Sequence, residues 1–337
     1  MATLSAPMSQ PFSSQPNGAR PVNLRTDLSA IADLIELVFA RTMDEGGRAA
    51  IREMRALARL GAGLSFMAQL NEMAMGIKMG FVWIEDGRLV GNVSIYPANF
   101  PSELGETWII ANVGVHPDYQ RRGIARKLMQ LSLDMIATRG GRHAILQVDY
   151  DNQAAIDLYH SLGFIAERAW STWRRSSIAT PPPTLDNRIF ITRRRPSEWR
   201  AEQALVARLR PAERGGIGWL RPLHPHAFRL PFFKQLGAWL SMNSLERLIV
   251  RSPDEHSILA CLWIENGLAS FNTRLSLFYE PTALTEAEAL LNTGIRRFRT
   301  SSLSIEHPED DEEGLLLLWN YRFSRERTVW HMRLDWF

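Results

Sequence analysis

Apolar positions along this chain recur with two periods, and the changes between them mark its elements. Ile31, Leu34, Ile35, Val38 and Phe39 fall at helical spacing, with Asp27 or Ser29 ahead of them as a cap. A short strand is predicted before that helix, over 22–25, and a second helix after it, over 48–60. Alternation then takes over: 81–85 and 89–96 read as strands joined by Asp86-Gly87, a strong hairpin signal. A strand over 108–115 leads into an amphipathic helix that Gly140-Gly141 ends. A strand over 143–149, a helix over 152–162 and strands from Phe164 and around 170–174 complete the first half. The intervening methionines Met67, Met73, Met75 and Met79 read as packing residues.

The second half repeats this order. Strands are predicted over 188–192, 245–251, 258–265 and 270–279. Laying Val115 on Leu277 puts a helix over 283–291, and Phe164-Ile-Ala-Glu-Arg168 finds a counterpart in Phe323-Ser-Arg-Glu-Arg327. The repeat points to a duplication. Between the halves, 177–187 contains Pro181-Pro182-Pro183, a semi-rigid linker composition. The domains expected are therefore a tail over 1–20, a first domain over 21–176, the linker, and a second domain over 188–337.

Two segments carry chemistry. The first is Val113-Gly-Val-His-Pro-Asp-Tyr-Gln-Arg-Arg-Gly-Ile-Ala-Arg-Lys-Leu-Met129, a strand that opens through a basic, glycine-containing turn onto a helix. A helix start has unpaired N–H groups and a favourable dipole, so such a turn is an anion cradle. The second, Leu146-Gln-Val-Asp-Tyr-Asp-Asn-Gln-Ala-Ala-Ile-Asp-Leu-Tyr-His-Ser-Leu-Gly-Phe164, is a strand, an Asn and a helix ended by Gly163. Together these segments resemble the acetyl-CoA-dependent N-acetyltransferases of the GNAT superfamily. The likeness covers roughly 22–175 and rests on that family's Gln/Arg-x-x-Gly-x-Gly/Ala and Asn-x-x-Ala-x-x-Leu-Tyr-x-x-x-Gly-Phe patterns.

The resemblance implies an α/β fold of two tandem GNAT-like domains, each a mostly antiparallel, splayed sheet flanked by helices. It implies acetyl-CoA as co-substrate, lying along Val113, Gly114 and Val115. Its pyrophosphate would meet Gln120, Arg121, Arg122, Gly123, Ile124, Ala125 and Arg126. Asn152 would contact the pantetheine arm, and Tyr159 would protonate the departing thiolate. The implied acceptor is a primary amine of a small molecule, or a peptide amine. Some relatives place a Glu five residues before the Asn; here that position is Gln147, so the general base is open. Glu106, Asp149 and His116 stand nearby in sequence, and Asp44 and Glu45 are candidates to attract an ammonium group. Without the Glu, a module that senses acetyl-CoA without turning it over stands as the alternative.

The second half lacks the cradle. Thr282-Ala-Leu-Thr-Glu-Ala287 stands where the first half has Gln120 to Ala125, and Glu309-Asp-Asp-Glu-Glu313 opens its last helix. Acidic groups there repel a polyphosphate, so no coenzyme A is expected in that half.

Composition narrows the remaining classes. A net charge of +3 is too small to argue for nucleic acid. No apolar run approaches the ~18 residues of a membrane span, and the first twenty residues lack the apolar stretch of a signal peptide. The single cysteine, Cys261, sits in an apolar strand and excludes an internal disulfide, which fits a reducing, cytoplasmic setting. His224 and His226 flank Pro225 with no carboxylate or Cys at ligand spacing, so no metal is expected. Oligomeric state is open.

Overall fold

The first helix begins earlier than its apolar face indicates. In this computed structural model, which describes residues 17–43, 45–59, 79–98, 100, 103, 105–185, 189–212, 216, 225–229, 243–255, 257–267 and 272–336, α1 spans Leu24–Phe39. Its cap is Asn23, whose Oδ1 accepts the Arg25 N–H at 3.1 Å, so the expected caps Asp27 and Ser29 lie inside the helix. Asp27 is buried and takes both nitrogens of Arg20 at 2.7 Å. The first strand is correspondingly displaced: β1 is Gly18–Pro21, and the segment expected as a strand is the helix entry. Met67, Met73 and Met75, Asp44 and His224 lie outside the described residues.

The chain forms two compact units. The first comprises Met1–Pro97 with Trp108–Gly140, the second Ala98–Thr107 with Gly141–Phe337. In the first unit, α2 is Glu45–Arg59, β2 Met79–Glu85, β3 Arg88–Pro97, β4 Thr107–Val115 and α3 Ile124–Thr138. The strands run antiparallel in the order β1-β2-β3-β4. The hairpin turn falls where expected, with Asp86 and Gly87 both at positive φ. Helix α1 contributes Leu28, Ile31, Ala32 and Ile35 to a core with Ile51 and Met54 of α2 and Val82 and Ile84 of β2. Helix α3 packs on β2 and β3.

The second unit holds β5 (His143–Asp149), α4 (Gln153–Ser161) and β6 (Ile165–Arg175) from the first half of the sequence. The two strands expected from Phe164 onward are this one long strand. From the second half come β7 (Thr192–Arg193), α5 (Trp199–Leu209), β8 (Asn243–Arg251), β9 (Ile258–Gly267), β10 (Asn272–Tyr279), α6 (Leu284–Arg297), β11 (Ser302–Pro308), α7 (Glu312–Asn320) and β12 (Ser324–Asp335). The sheet order is β5-β12-β6-β11-β10-β9-β8-β7. Alternation along β9 serves both faces. Ala260, Leu262 and Ile264 face the core under α6 and α7, while Cys261 and Trp263 face the one under α5. Cys261 is the buried hydrophobe its apolar run implies.

This order exchanges strands between the halves. β12, the last strand of the chain, lies between β5 and β6; β6 in turn lies between β12 and β11. The exchange has near two-fold symmetry. Ser171 pairs with Thr328 and, in mirrored fashion, Ala169 with Trp330. The two bulges of the β6–β12 ladder fall at the matching residues Glu167 and Glu326. Glu326 takes Arg174 Nε at 2.6 Å, and Glu167 takes Arg333 Nε at 3.0 Å. Asn152 and Asp311 cap the matching helices α4 and α7, and Phe164 and Phe323 are both 2% exposed. The duplication expected from the sequence is thus present in register, cap and ion pair.

Candidate functional site

In the first unit, the site grows from a defect in β4. Asn92 pairs with Gly114 and Ser94 with Ala111, so Val93 alone opposes both Asn112 and Val113. This is a β-bulge, and Asn112 adopts φ +52° within it. Past the bulge, Gly114 and Val115 are buried against α1 and the sheet. Val115 O accepts the Gln120 side chain at 3.2 Å, folding the turn back on the strand. Pro117–Tyr119 make a 3₁₀ turn, and His116 Nδ1 accepts the Asp118 N–H at 3.3 Å.

Two left-handed residues then redirect the chain into α3: Arg121 at φ +60° and Gly123 at φ +79°. A Cβ built on Gly123 meets nothing within 4 Å. Glycine is therefore there for its backbone conformation; an L residue costs ~1–2 kcal/mol in that region. The height of the turn over the sheet is set elsewhere. At Gly91 a Cβ would lie 2.9 Å from Ile124 Cγ2 and 3.0 Å from Leu128 Cδ1, so glycine lets α3 sit this close to β3 without displacing those side chains. Ile124, 3% exposed, anchors the helix start.

That start is open to an anion. Gly123 offers no side-chain cap, the first turn of α3 holds no acidic residue, and the N–H groups of Gly123, Ile124 and Ala125 donate to no described residue. Arg121, Arg122 and Arg126 are exposed around it. Arg122 also braces the turn, stacking 4.9 Å over Tyr119 and donating to Asp118 O at 3.0 Å.

In the second unit, Asn152 is the cap of α4, its Oδ1 accepting the Ala155 N–H at 3.2 Å. Tyr159 lies on the buried face of α4, 5% exposed, its ring tilted against Phe164. Its hydroxyl bonds to no described residue, and burial raises its pKa, so the phenol keeps its proton at neutral pH. Gln147 Nε2 lies 2.9 Å from His331 Nε2, a geometry in which the amide donates and a neutral imidazole accepts. The sequence had given no reason to bring His331 to this strand. Among the other groups weighed as a base, Asp149 is held by Arg327 Nε at 2.6 Å, His116 is occupied as a cap and Glu106 is exposed. Glu45 opens α2.

In the second half, the cradle's counterpart is absent. Helix α6 is entered through Ala283 at φ −113° with Glu286 in its first turn. The β10–β11 ladder stops at Leu275 and Ile305 although both strands continue. Beyond that point the Tyr279 hydroxyl donates to Asp311 Oδ1 at 2.6 Å, tying β10 to the start of α7. Arg210, 6% exposed, stacks on Trp170 and Phe278, and these residues with Glu306 line the cleft there. Among the described residues no group of three or more His, Cys, Asp or Glu side chains is placed to hold a metal ion, and no helix is long and apolar enough to cross a membrane.

The acetyltransferase (GNAT) family model matches residues 58–164. The chain is 33% identical over 87 residues to N-alpha-acetyltransferase 30 of Schizosaccharomyces pombe, covering 26% of this chain and 57% of that protein. It is 33% identical over 102 residues to mycothiol acetyltransferase of Geodermatophilus obscurus, covering 29% of this chain and 32% of that protein. The match thus spans a little over half of one relative and a third of the other. Among solved structures, a tandem GNAT protein from the clavulanic acid biosynthesis pathway aligns over 94% of this chain and 98% of its own, with a TM-score of 0.53 and 13% identity.

Proposed function

We propose, from the match of residues 58–164 to the acetyltransferase (GNAT) family, that the chain transfers the acetyl group of acetyl-CoA to a primary amine of a small molecule or a peptide. The turn over 120–125 carries this reading. Two left-handed residues deliver an uncapped helix start, with N–H groups that donate to no described residue, between exposed arginines. That donor set suits a diphosphate: several N–H groups converge on one side, the dipole adds to them, and no acidic side chain opposes. Gln120, Arg121, Arg122, Gly123, Ile124, Ala125 and Arg126 hold the pyrophosphate, the backbone of Val113, Gly114 and Val115 takes the pantetheine arm, and Asn152 supports it.

In this reading the amine attacks within a ternary complex. Its nitrogen adds to the thioester carbonyl carbon and loses a proton to solvent. The C–S bond breaks, and the sulfur leaves with the proton of Tyr159, which is restored from solvent. A phenol is suited to this step because, buried and neutral, it has a proton to give at every working pH. The second half is structural in this respect and holds no coenzyme A.

The ion-paired Asp149 and the amide at 147 favour a second reading, a sensor that binds acetyl-CoA without turnover. One assay separates the two. Incubation with acetyl-CoA and a panel of small amines and short peptides releases free thiol above background if the chain is a transferase. Calorimetric binding of acetyl-CoA with no thiol release from any amine identifies a sensor. No binding at all removes both.

A further inference from the structure

Strand β3 carries two polar residues where an apolar pair is the ordinary choice. Asn92 and Ser94 are each 1% exposed, between Val90, Val93 and Ile95, all equally buried. Buried polar groups persist when they are hydrogen-bonded, and these bond to one place. Asn92 Nδ2 donates to Asn112 O at 3.1 Å and lies 3.4 Å from Ser94 Oγ; Asn112 Nδ2 donates to the same Ser94 oxygen at 3.2 Å. Asn92 and Ser94 thus hold the bulge of β4, the first through the backbone carbonyl of its left-handed residue and the second through that residue's side-chain amide.

The bulge is where β4 changes register. On either side of it the ladder with β3 is regular; within it Asn112 and Val113 together face the single residue Val93. A strand free to slip by one residue exchanges its faces. Slippage here would rotate Val113, Gly114 and Val115 and shift the turn that follows. The network ties the bulge to this register through side chains rather than through the ladder.

We propose that Asn92, Ser94 and Asn112 are positioning residues for acetyl transfer, fixing the bulge so that the backbone of 113–115 meets the thioester in one orientation. This rests on the transferase reading above. None of the three acts on the substrate; each acts through the backbone of β4.

The test uses the full chain and steady-state kinetics on an amine that the wild type acetylates. Ser94→Ala removes the shared acceptor, Ser94→Thr keeps it, and Asn112→Gly keeps the positive φ while deleting the side chain. Misplacement of reacting groups by about an ångström lowers turnover by up to about a hundredfold. The expected result is a kcat about tenfold lower in Ser94→Ala and Asn112→Gly, a KM for acetyl-CoA within about threefold of wild type, and recovery in Ser94→Thr. Thermal melts run in parallel. A kcat within twofold of wild type in both deletion variants overturns the proposal and leaves the transferase reading intact. So does a kcat loss that appears only where the melting midpoint has fallen below the assay temperature, since that is a folding effect. A wild type that releases thiol with no amine sinks the parent reading, and this one with it.

Discussion

Trp170 faces Val329 across the ladder between β6 and β12, and the two residues hold matching places in the two halves of the chain. Every other pairing of that ladder is mirrored about them. The same relationship places Pro308 opposite Trp170 on one side and Asp149 opposite Val329 on the other. Each half therefore completes its sheet with a strand of the other, and the chain's last strand sits inside its first half's sheet.

A fragment ending at residue 176 should not fold. It contains β5 and β6 but lacks β12, which pairs with both. One edge each of β5 and β6 would be left unpaired, and the buried side chains Val329 and Met332 would be missing. The fragment is expected to show no cooperative thermal transition, whereas the full chain does. A sharp transition in the fragment would show the exchange to be dispensable.

Tyr159→Phe should reduce kcat by about 10²-fold or more while leaving acetyl-CoA affinity unchanged, since general acids typically contribute 10²–10⁴-fold. Stability should hardly move, because the hydroxyl bonds to no described residue. Turnover equal to wild type would remove Tyr159 from the mechanism.

Gly123→Val should weaken coenzyme A binding. A Cβ has room at this position, and the effect comes from forcing a β-branched residue to φ +79°. Roughly 1–2 kcal/mol of strain corresponds to about a tenfold rise in the dissociation constant if the turn relaxes on losing its left-handed residue. Calorimetry with coenzyme A reads this directly; an unchanged constant means the turn does not hold the cofactor.

One equivalent of coenzyme A should bind per chain. In the second half, the Tyr279–Asp311 hydrogen bond, the stacked Arg210 and the acidic start of α7 occupy or repel at the matching place. A fitted stoichiometry of two would contradict this.

Stability should fall as pH drops below about 6.5. His331 is buried and neutral, its pKa pushed down to about 2 by desolvation, with Arg168 adding to the effect. Burial lowers the pKa of His307 as well, against the pull of Asp311. An unfolded imidazole protonates near the ordinary value of 6.5, so between there and the folded value the unfolded chain binds more protons. Each such histidine contributes a slope of up to ~1.4 kcal/mol per pH unit, stability rising with pH. Denaturant midpoints measured from pH 7 to 5 should decline less steeply in His331→Gln. Parallel curves would mean that His331 is protonated in the folded state or does not limit acid stability.

Much of this molecule is legible in its sequence because it is decided locally. The Asp86-Gly87 hairpin, the strand at 143–149 and the helix at 153–161 follow from period, cap and turn chemistry, which act over a few residues. The cradle is legible for the same reason: a glycine at a strand-to-helix turn and the basic residues beside it are neighbours along the chain. The repeat of elements in the second half, and the loss of Gly and Arg from its turn, are likewise properties of order and composition.

Tertiary structure decided what depends on partners far apart in sequence. The likeness of Phe323-Ser-Arg-Glu-Arg327 to Phe164-Ile-Ala-Glu-Arg168 matches the two ends of the halves but does not say that 324–335 enters between β5 and β6, because a strand's neighbours are chosen by the whole sheet's burial. Asn92 and Ser94 look like polar interruptions until β4 arrives with a left-handed Asn112 to receive them. His331 and Gln147 meet only through the exchanged strand. The helix start at Asn23 belongs here too: Asp27 reads as a cap until Arg20, folded against it, takes its carboxylate and leaves the capping to the residue four places earlier.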